Sequence, residues 1–336
     1  MEDAAGNLYG TTISGGDTGV GTVFRVDRTG TETVLHSFTD TDGRYPAAGL
    51  VLDNVGNLYG TTSEGGDFRV GTVFKLDTSG TETVLYSFNG SAGEGHAPGG
   101  GLLRDSAGNL YGTTLSGGDF SLGTVFRLDT NGVETVLHSF AGEPSDGKNP
   151  VNTSLLMDTT GNLYGITAQG GTSDYGVVYR LSRRGTFTVI HSFAGGTADG
   201  CYPYGTPVTD GLGNLYGSTR ECGAVENSGT VWKVSKNGTE TVLYNFTDTP
   251  SDGRHPESGV IFDPKGHLYG ATEEGGAFNF GTVYSLNKEG ITVLHSFDVS
   301  DGQSPMADLI RDSKSLYGTT WIGGGVCCGT VWKLTK

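Results

Sequence analysis

The chain repeats one short motif seven times at a nearly constant spacing. Gly-Asn-Leu-Tyr-Gly occurs five times, changes to Gly-His-Leu-Tyr-Gly in the sixth copy and ends as Ser-Leu-Tyr-Gly in the seventh. A repeat of this length is typical of solenoids and propellers, in which each copy is one structural unit. The copies begin near residues 6, 56, 108, 161, 213, 266 and 315.

Each repeat holds four short segments of β-branched and aromatic residues, separated by Gly, Asp and Asn. In the second repeat they are residues 50–53, 57–62, 72–77 and 81–88, which we name strands a, b, c and d. Four antiparallel strands at this period match one propeller blade. The sequence therefore predicts an all-β fold, a seven-bladed β-propeller of four-stranded antiparallel blades, formed as a single domain by residues 1–336.

The first and last blades are predicted to be incomplete. The first repeat keeps only three residues of its strand a, and the last stops after its strand c, so that 26 of 28 strands are complete. An unpaired strand edge is a liability for a sheet. We therefore expect either an open edge between the first and last blades or closure by residues outside this sequence.

The repeat unit resembles the GloVer tandem repeat of bacterial surface or secreted proteins. The resemblance rests on Gly-Asn-Leu-Tyr-Gly-Thr-Thr, a glycine pair, Gly-Thr-Val-Phe and Leu-His-Ser-Phe, and it extends from Gly6 to Leu334. It implies a propeller-like protein outside the cell or at the cell surface, often joined to a separate anchoring segment. It implies no catalytic residue.

Charge and hydropathy exclude two classes of partner. The formal charge of −16 opposes nucleic acid, because that binding depends on clustered Lys and Arg. No apolar run approaches the roughly 18 residues of a membrane span, and the sequence shows no signal peptide. We expect no nucleic-acid partner and no membrane insertion, and the oligomeric state is left open.

The unequal loops indicate a working face. The a-to-b and c-to-d turns are tight, whereas the b-to-c loop (residues 63–70 in the second repeat) and the d-to-a loop (residues 89–100) are long. In an up-and-down blade both long loops emerge on the same side. Binding sites usually lie on loops held by a rigid scaffold, so the long-loop side is the expected site of function.

Six d-to-a loops share an acidic residue, a glycine, two variable residues and a proline. A second acid close by allows calcium to bind, although an Asp-Gly turn that hydrogen-bonds its own backbone is the preferred interpretation. No cofactor is otherwise expected. The strand-d histidines at equivalent positions are interpreted as packing residues. The calcium candidates are Asp40, Asp42, Asp248 and Asp252, and the histidines are His36, His138, His191 and His295.

One position after strand b breaks the symmetry of the repeats. It holds Trp321, Arg220 and Glu273 in three copies and a small or aliphatic residue in the other four. An exposed tryptophan on a loop-bearing face indicates a contact surface. With the variable loop residues, the predicted ligand site consists of Trp321, Arg220, Glu273, Tyr202, Arg254 and His255.

These residue types suit a sugar or another polar ring compound, because aromatic faces stack on sugar rings while charged groups bind hydroxyls. The first functional hypothesis is a secreted or surface carbohydrate-binding or adhesion module. The second is a polysaccharide-active enzyme. A uronate lyase would use Arg44 or Arg254 against the carboxylate and His255 or Tyr202 as the base.

Two further alternatives remain open. Glu221, Glu273 and Glu274 fall in adjacent repeats and could form the carboxylate pair of a glycoside hydrolase. The chain could also be a structural spacer within a larger surface protein.

The four cysteines all fall in predicted long loops. Cys201 and Cys222 belong to the same blade and are predicted to form a disulfide, since an exported protein meets an oxidising environment. The neighbouring Cys327 and Cys328 could form a vicinal disulfide or remain as two thiols.

Overall fold

The computed structural model describes residues 1–151, 153–324 and 328–335. Every regular element within these residues is a β-strand. Among them there is no helix with the length and apolar character that crossing a membrane takes.

The strands are short and follow one another along the whole chain. The first fifteen are β1 (Leu8–Thr12), β2 (Thr22–Val26), β3 (Glu32–Ser37), β4 (Val51–Leu52), β5 (Leu58–Thr62), β6 (Thr72–Leu76), β7 (Glu82–Ser87), β8 (Gly95–His96), β9 (Leu103–Arg104), β10 (Leu110–Thr114), β11 (Ser116–Gly117), β12 (Thr124–Leu128), β13 (Glu134–Ser139), β14 (Gly147–Lys148) and β15 (Leu156–Met157). The others are β16 (Leu163–Thr167), β17 (Gln169–Gly170), β18 (Val177–Leu181), β19 (Phe187–Ser192), β20 (Gly200–Thr209), β21 (Leu215–Cys222), β22 (Thr230–Val234), β23 (Glu240–Asn245), β24 (Gly253–Arg254), β25 (Ile261–Phe262), β26 (Leu268–Thr272), β27 (Glu274–Gly275), β28 (Thr282–Asn287), β29 (Gly290–Ser296), β30 (Ile310–Arg311), β31 (Ser315–Thr319) and β32 (Val331–Thr335).

Each repeat forms one antiparallel sheet, which we call blade 1 to blade 7. Blade 2 has the order β4-β5-β6-β7, so strands a to d follow one another across the sheet, and blades 3 to 6 repeat this order. Blades 1 and 7 have three strands each, β1-β2-β3 and β30-β31-β32. The predicted fold class, a seven-bladed β-propeller with incomplete first and last blades, is confirmed.

The structure adds three two-stranded ladders that the sequence analysis missed. They pair β8 with β11, β14 with β17 and β24 with β27. Each ladder is only two residues long and contains glycine, so it lacks the alternating pattern by which a strand is recognised.

By its internal contacts the chain divides into two compact units. The repeat period continues unchanged through the fourth repeat, so the division has no counterpart in the sequence, which predicts one domain over residues 1–336. The first unit comprises Met1–Ala141, Lys148–Leu163 and Leu181–Phe187, and the second comprises Gly142–Gly147, Tyr164–Arg180 and Thr188–Lys336.

The repeated motif builds the tight a-to-b turn. In blade 2 one oxygen of Asp53 accepts the backbone N–H of Asn57 at 2.9 Å, and the other accepts the Asn57 side-chain amide at 2.8 Å and the Tyr59 hydroxyl at 3.0 Å. Although partial burial opposes it, this set of donors lowers the pKa of Asp53 to about 2. The aspartate, asparagine and tyrosine of the motif are therefore parts of one hydrogen-bonded turn.

The glycine in the middle of strand b makes room for an aromatic core residue. A Cβ atom on Gly112 would lie 2.7 Å from the ring of Phe126, which is fully buried. The same ring meets Phe88 of the preceding blade edge-on at 5.2 Å, and Phe246 and Tyr284 repeat this contact in the second unit at 5.3 Å. Aromatic pairs of this geometry join neighbouring blades.

Three strand-d histidines, His36, His191 and His295, pack edge-on against an aromatic residue of their own strand and lie close to an acid of the following d-to-a loop. The His36 ring lies edge-on to Phe38 at 4.8 Å, and its Nε2 is 3.0 Å from the Asp42 carboxylate of the d-to-a loop. Asp42 also accepts the Thr39 N–H at 2.7 Å. The loop acid therefore supports its own turn, in line with the preferred interpretation. Two further blades pair the same positions, His191 with Asp199 at 3.4 Å and His295 with Asp301 at 2.7 Å.

Candidate functional site

The two long loops of each repeat lie against each other. In the first unit Arg44 of a d-to-a loop pairs through its backbone with Glu64 of the next b-to-c loop. In the second unit Arg254 pairs in the same way with Glu274. Variable residues of both loops are therefore brought together in these two blades, and β8 pairs with β11 in the same way in blade 3.

The residue before each loop proline has a left-handed backbone. Its φ lies between 53° and 58°, a conformation that costs a non-glycine residue free energy unless the surroundings fix it. The N–H of Tyr202 donates to Tyr175 O at 2.9 Å, and that of His255 donates to Ser228 O at 3.1 Å. These bonds hold the variable side chains on a rigid backbone. The residues are Tyr45, Ala97, Asn149, Tyr202, His255 and Ser304.

Three glutamates of the second unit surround one arginine. Arg220 Nη1 lies 2.6 Å from Glu221 Oε1, Nη2 lies 3.4 Å from Glu273 Oε2, and Nε donates to Glu257 Oε1. All four side chains are at most 29% exposed, so these are partly desolvated ion pairs. We call Arg220, Glu221, Glu257 and Glu273 the Arg220 cluster.

A second arginine stands beside this cluster. Arg254 Nε donates to Glu274 Oε2 at 2.8 Å, and its Nη1 donates to Asp248 Oδ2 at 2.9 Å. His255 Nδ1 is buried without a hydrogen-bond partner and lies 3.8 Å from Glu274 Oε1. One ligand atom from each of His255, Glu273 and Glu274 falls within 4.8 Å of the others, a spacing that a divalent cation could use.

Burial and crowding of acids change the protonation of the cluster. Desolvation first, and then the Glu257 carboxylate, raise the pKa of Glu273, although Arg220 opposes the shift. Desolvation likewise raises the pKa of Tyr204, and the charge of Glu257 raises it further. The cluster therefore contains one carboxyl group that holds a proton more strongly than an exposed glutamate.

The structure brings together part of the predicted ligand site. Arg220 and Glu273 are in contact, and Glu274 links Arg254 to His255. The Tyr202 ring packs edge-on against Tyr175 at 5.6 Å. Trp321 occupies the corresponding place in blade 7. Its backbone N–H donates to Ser304 O at 3.0 Å, and its side chain is 56% exposed.

Glu257 and Tyr204 are site residues that the sequence analysis missed. Both follow a loop proline directly, at a position occupied by Ala47, Gly99 or Met306 in other repeats. A comparison of that position among the repeats would have shown an acid in the sixth and a tyrosine in the fifth. The two residues before the proline vary more from repeat to repeat, so they are the more visible signal in the sequence.

A disulfide fixes one side of the cluster. Cys201 and Cys222 are bonded, with their Cα atoms 5.4 Å apart. They were expected in loops but lie in β20 and β21, because the d-to-a loop of blade 5 continues as a strand that pairs Cys201 with Glu221. The hairpin therefore holds Arg220 and Glu221 in extended backbone. The question of Cys327 and Cys328 falls outside the described residues, since Cys327 is not among them.

The four calcium candidates are engaged by the protein's own donors. Asp40 and Asp248 pair with Arg44 and Arg254 at 3.2 and 2.9 Å. Asp252 is buried and accepts the Tyr244 hydroxyl at 2.9 Å. A calcium ion would have to displace these donors. In the first unit one ligand atom from each of His36, Asp42 and Glu82 also falls within 4.8 Å of the others.

The fold and the long-loop residues define the protein as a tandem-repeat β-propeller with a polar cluster on paired loops. The chain belongs to the Gloeobacter/Verrucomicrobia repeat family, whose sequence profile matches residues 1–159 and 143–332. The resemblance to the GloVer repeat is thereby confirmed. No curated protein matches the chain.

Solved structures share the fold at low sequence identity. The chain is similar to the periplasmic gluconolactonase PpgL of Pseudomonas aeruginosa, with a TM-score of 0.53 and 16% identity over 98% of this chain and 94% of that one. It is also similar to puromycin hydrolase, with a TM-score of 0.61 and 11% identity over 98% of this chain and 50% of that one. At these identities the likeness concerns the fold alone.

Proposed function

We propose that this protein is an exported binding module whose Arg220 cluster recognises a neutral, hydroxyl-rich carbohydrate. The observation that carries the proposal is the cluster itself, in which one guanidinium orients three partly buried carboxylates. Fixed carboxylates and guanidinium groups are the acceptors and donors that sugar hydroxyls require. Trp321, which is largely exposed at the corresponding position of the next blade, offers an aromatic face for a sugar ring.

The charge of the cluster favours a neutral ligand. Arg220 is matched by Glu221, Glu257 and Glu273, so the cluster carries excess negative charge around its one guanidinium. A uronate would meet this charge at short range, where like charges repel strongly. A sugar without a carboxylate avoids that cost.

The uronate-lyase alternative receives no support from the arginines it requires. Arg254 is paired with Glu274 and Asp248. Arg44 is paired with Asp40 and Glu64. A guanidinium that is already neutralised by two acids is a poor partner for a substrate carboxylate.

Two observations support the proposal that the protein is exported. Disulfides persist in oxidising compartments, and Cys201 and Cys222 form one. The structurally similar gluconolactonase of Pseudomonas aeruginosa is described as periplasmic.

A hydrolase acting on sugars or sugar lactones is the second candidate, and the raised pKa of Glu273 favours it. A carboxyl group that keeps its proton can act as a general acid, and other acids of the cluster lie beside it. Gluconolactonase is the function of one structural relative, which makes glucono-lactone a rational first substrate.

The test combines a binding and a turnover assay on the same variants. Neutral and acidic oligosaccharides are screened on an array, and the strongest ligand is titrated by calorimetry into the parent protein, Glu273→Gln and Trp321→Ala. Glu64→Gln is the matched control, because Glu64 occupies the place of Glu221 and Glu274 in blade 2. Glucono-lactone and aryl glycosides serve as substrates.

A binding module predicts affinity for neutral sugars that falls in both site variants, is unchanged in the control, and is accompanied by no turnover. A hydrolase predicts turnover that Glu273→Gln lowers by about 10² to 10⁴-fold, the usual contribution of a general acid. Preference for acidic sugars, or equal affinity in all variants, would overturn the assignment of the ligand to this cluster.

A further inference from the structure

An arginine-lined groove lies in the first unit, next to the tight turns rather than the long loops. Its volume is about 840 Å³. It is bordered by the a-to-b turns of blades 3 and 4 and by the c-to-d turn of blade 4. The residues that characterise it are Arg104, Tyr111, Arg127, Leu137, Leu181 and Arg183.

The guanidinium groups of this groove differ from those of the long loops in their acidic contacts. Within the described part of the chain none of Arg104, Arg127 and Arg183 forms an ion pair. The Nε atoms of Arg104 and Arg127 are buried without a hydrogen-bond partner. This differs from Arg44, Arg220 and Arg254 of the long loops, each of which is paired with at least two acids.

The arginines are held in place by contacts with uncharged side chains. Arg104 lies over the Tyr59 ring, 5.6 Å from its centroid, and Arg127 Nη2 donates to Asn109 Oδ1 at 3.5 Å. Desolvation first, and then the charge and hydrogen bond of Asp105, raise the pKa of Tyr111, whereas the charges of Arg127 and Arg183 oppose this shift, so the acid and both guanidinium groups act on this phenol. The three cations therefore share one surface.

The two aspartates of the groove are engaged by their own turns. Asp105 accepts the backbone N–H of Asn109 at 2.9 Å and the Tyr111 hydroxyl at 3.1 Å. Asp158 accepts the backbone N–H of Asn162 at 2.9 Å. These carboxylates hold the turn backbone, as Asp53 does in blade 2, and they keep their negative charge, so three arginines against two aspartates leave the lining with a small net positive charge.

The combination of three arginines is specific to this place in the repeat, although the position of Arg127 is basic in most copies. One repeat earlier, the position of Arg104 holds an uncharged residue, that of Arg127 holds a lysine, and that of Arg183 holds a threonine. Blade architecture therefore does not require the three arginines. The equivalent residues are Leu52, Lys75 and Thr130.

We propose that this groove binds the anionic groups, carboxylate or sulfate, of an acidic polysaccharide. Arginine recognises such planar or multi-oxygen anions through paired N–H donors. Tyr111, Leu137 and Leu181 supply apolar surface for sugar-ring C–H groups, and the volume suits a ligand of two or more rings. The overall charge of −16 opposes a long polyanion of either kind, nucleic acid or polysaccharide, so the groove is expected to bind a short acidic segment through its local charge. The groove shares no residue with the Arg220 cluster, and the proposal does not depend on the neutral ligand proposed for that cluster.

The experiment titrates the parent protein by calorimetry with four probes: tetragalacturonate, a sulfated tetrasaccharide, a neutral tetrasaccharide of glucose and inorganic sulfate. The variants are Arg183→Gln and Arg104→Gln. Arg28→Gln is the matched control, because Arg28 holds the place of Arg183 in the c-to-d turn of blade 1 and lies against the a-to-b turn there. Thermal unfolding confirms that each variant is folded.

We expect binding of one or both acidic tetrasaccharides that weakens as salt is added, and a loss of about tenfold or more in each groove variant, the size of one charged hydrogen bond. The carboxylated and sulfated probes decide which anion is preferred. Equal binding of the neutral probe, sulfate alone binding as tightly as the oligosaccharides, no binding of either acidic probe, or an equal loss in Arg28→Gln would overturn the proposal. Glu273→Gln should leave this binding unchanged, which separates it from the proposed site on the long loops.

Discussion

The carboxylate of Asp308 accepts a hydrogen bond from the backbone N–H of Gly259 at 2.6 Å. It also accepts the N–H of Thr206, at 3.2 Å to Oδ2. A Cβ atom on Gly205 would lie 1.9 Å from Gly259 N, so the backbones of blades 5 and 6 approach as closely as atoms allow. Asp308 of blade 7 thus ties three consecutive blades of the second unit together.

Replacing this carboxylate should loosen the second unit. Asp308→Ala leaves two backbone donors without their acceptor and is expected to lower the free energy of unfolding by about 1 to 3 kcal/mol. Asp308→Asn keeps one acceptor oxygen and should cost less. Chemical denaturation of the three proteins measures the difference. An unchanged midpoint for the alanine variant would show that the carboxylate does not stabilise these blades.

Three glutamates at the start of strand d should make stability depend on pH. Burial first, and then neighbouring charges, raise the pKa values of Glu82, Glu134 and Glu240 to about 7, and the Oε1 atom of each is buried without a hydrogen-bond partner. The folded protein keeps these protons up to about pH 7, whereas an unfolded glutamate, with a pKa near 4.5, has lost them. Stability is therefore expected to be highest at low pH with respect to these groups and to fall as pH rises from 4.5 to 7.

Glutamine substitution removes this dependence. Glu240→Gln is expected to raise the unfolding temperature at pH 8 and to change it little at pH 4.5, because glutamine resembles the protonated acid. Glu32→Gln is the matched control, since Glu32 starts the same strand in blade 1 and is exposed. Thermal unfolding at both pH values provides the measurement. A gain at pH 8 no larger than that at pH 4.5 would contradict the assignment.

The disulfide should contribute strongly to the second unit. It closes a segment of 21 residues, for which the chain-entropy model gives about 3 kcal/mol. The free energy of unfolding of the Cys201→Ser, Cys222→Ser double variant is expected to be lower by this amount. Chemical denaturation should therefore show an unfolding midpoint at a lower denaturant concentration. Since the bridged hairpin carries Arg220 and Glu221, its affinity for a neutral sugar should fall as well. Mass spectrometry of the unreduced protein tests the bond directly, and a free thiol at either position would contradict it.

Substitution of Trp321 tests the proposed ligand site and is expected to leave the fold intact. Its side chain is 56% exposed, so Trp321→Ala should leave the unfolding temperature nearly unchanged while weakening carbohydrate binding by about 1 to 3 kcal/mol, as expected of an aromatic contact. Leu212→Ala, an exposed residue of a tight a-to-b turn, is the control and should bind as the parent does. Parental affinity in the tryptophan variant would place the ligand elsewhere.

Local sequence determined the blades of this protein. Asp53, Asn57 and Tyr59 close one turn among themselves, and such bonds span only a few residues, so the motif predicts the strand-turn-strand unit wherever it occurs. Seven copies then predict seven blades. The glycine of strand b and the aromatic ring that it faces repeat with the same period, so this core contact recurs from blade to blade.

The candidate site depended on tertiary structure, because its contacts join residues from different repeats. Arg220 meets Glu257 and Glu273 from 37 and 53 residues away, and no local pattern reports which carboxylate will reach a guanidinium. The sequence also did not show that Arg44 and Arg254 form ion pairs with neighbouring acids, because such pairing is decided by distance and burial rather than by residue type. Sequence could identify the positions that depart from the repeat, and only the folded chain decided which of their charged side chains form ion pairs.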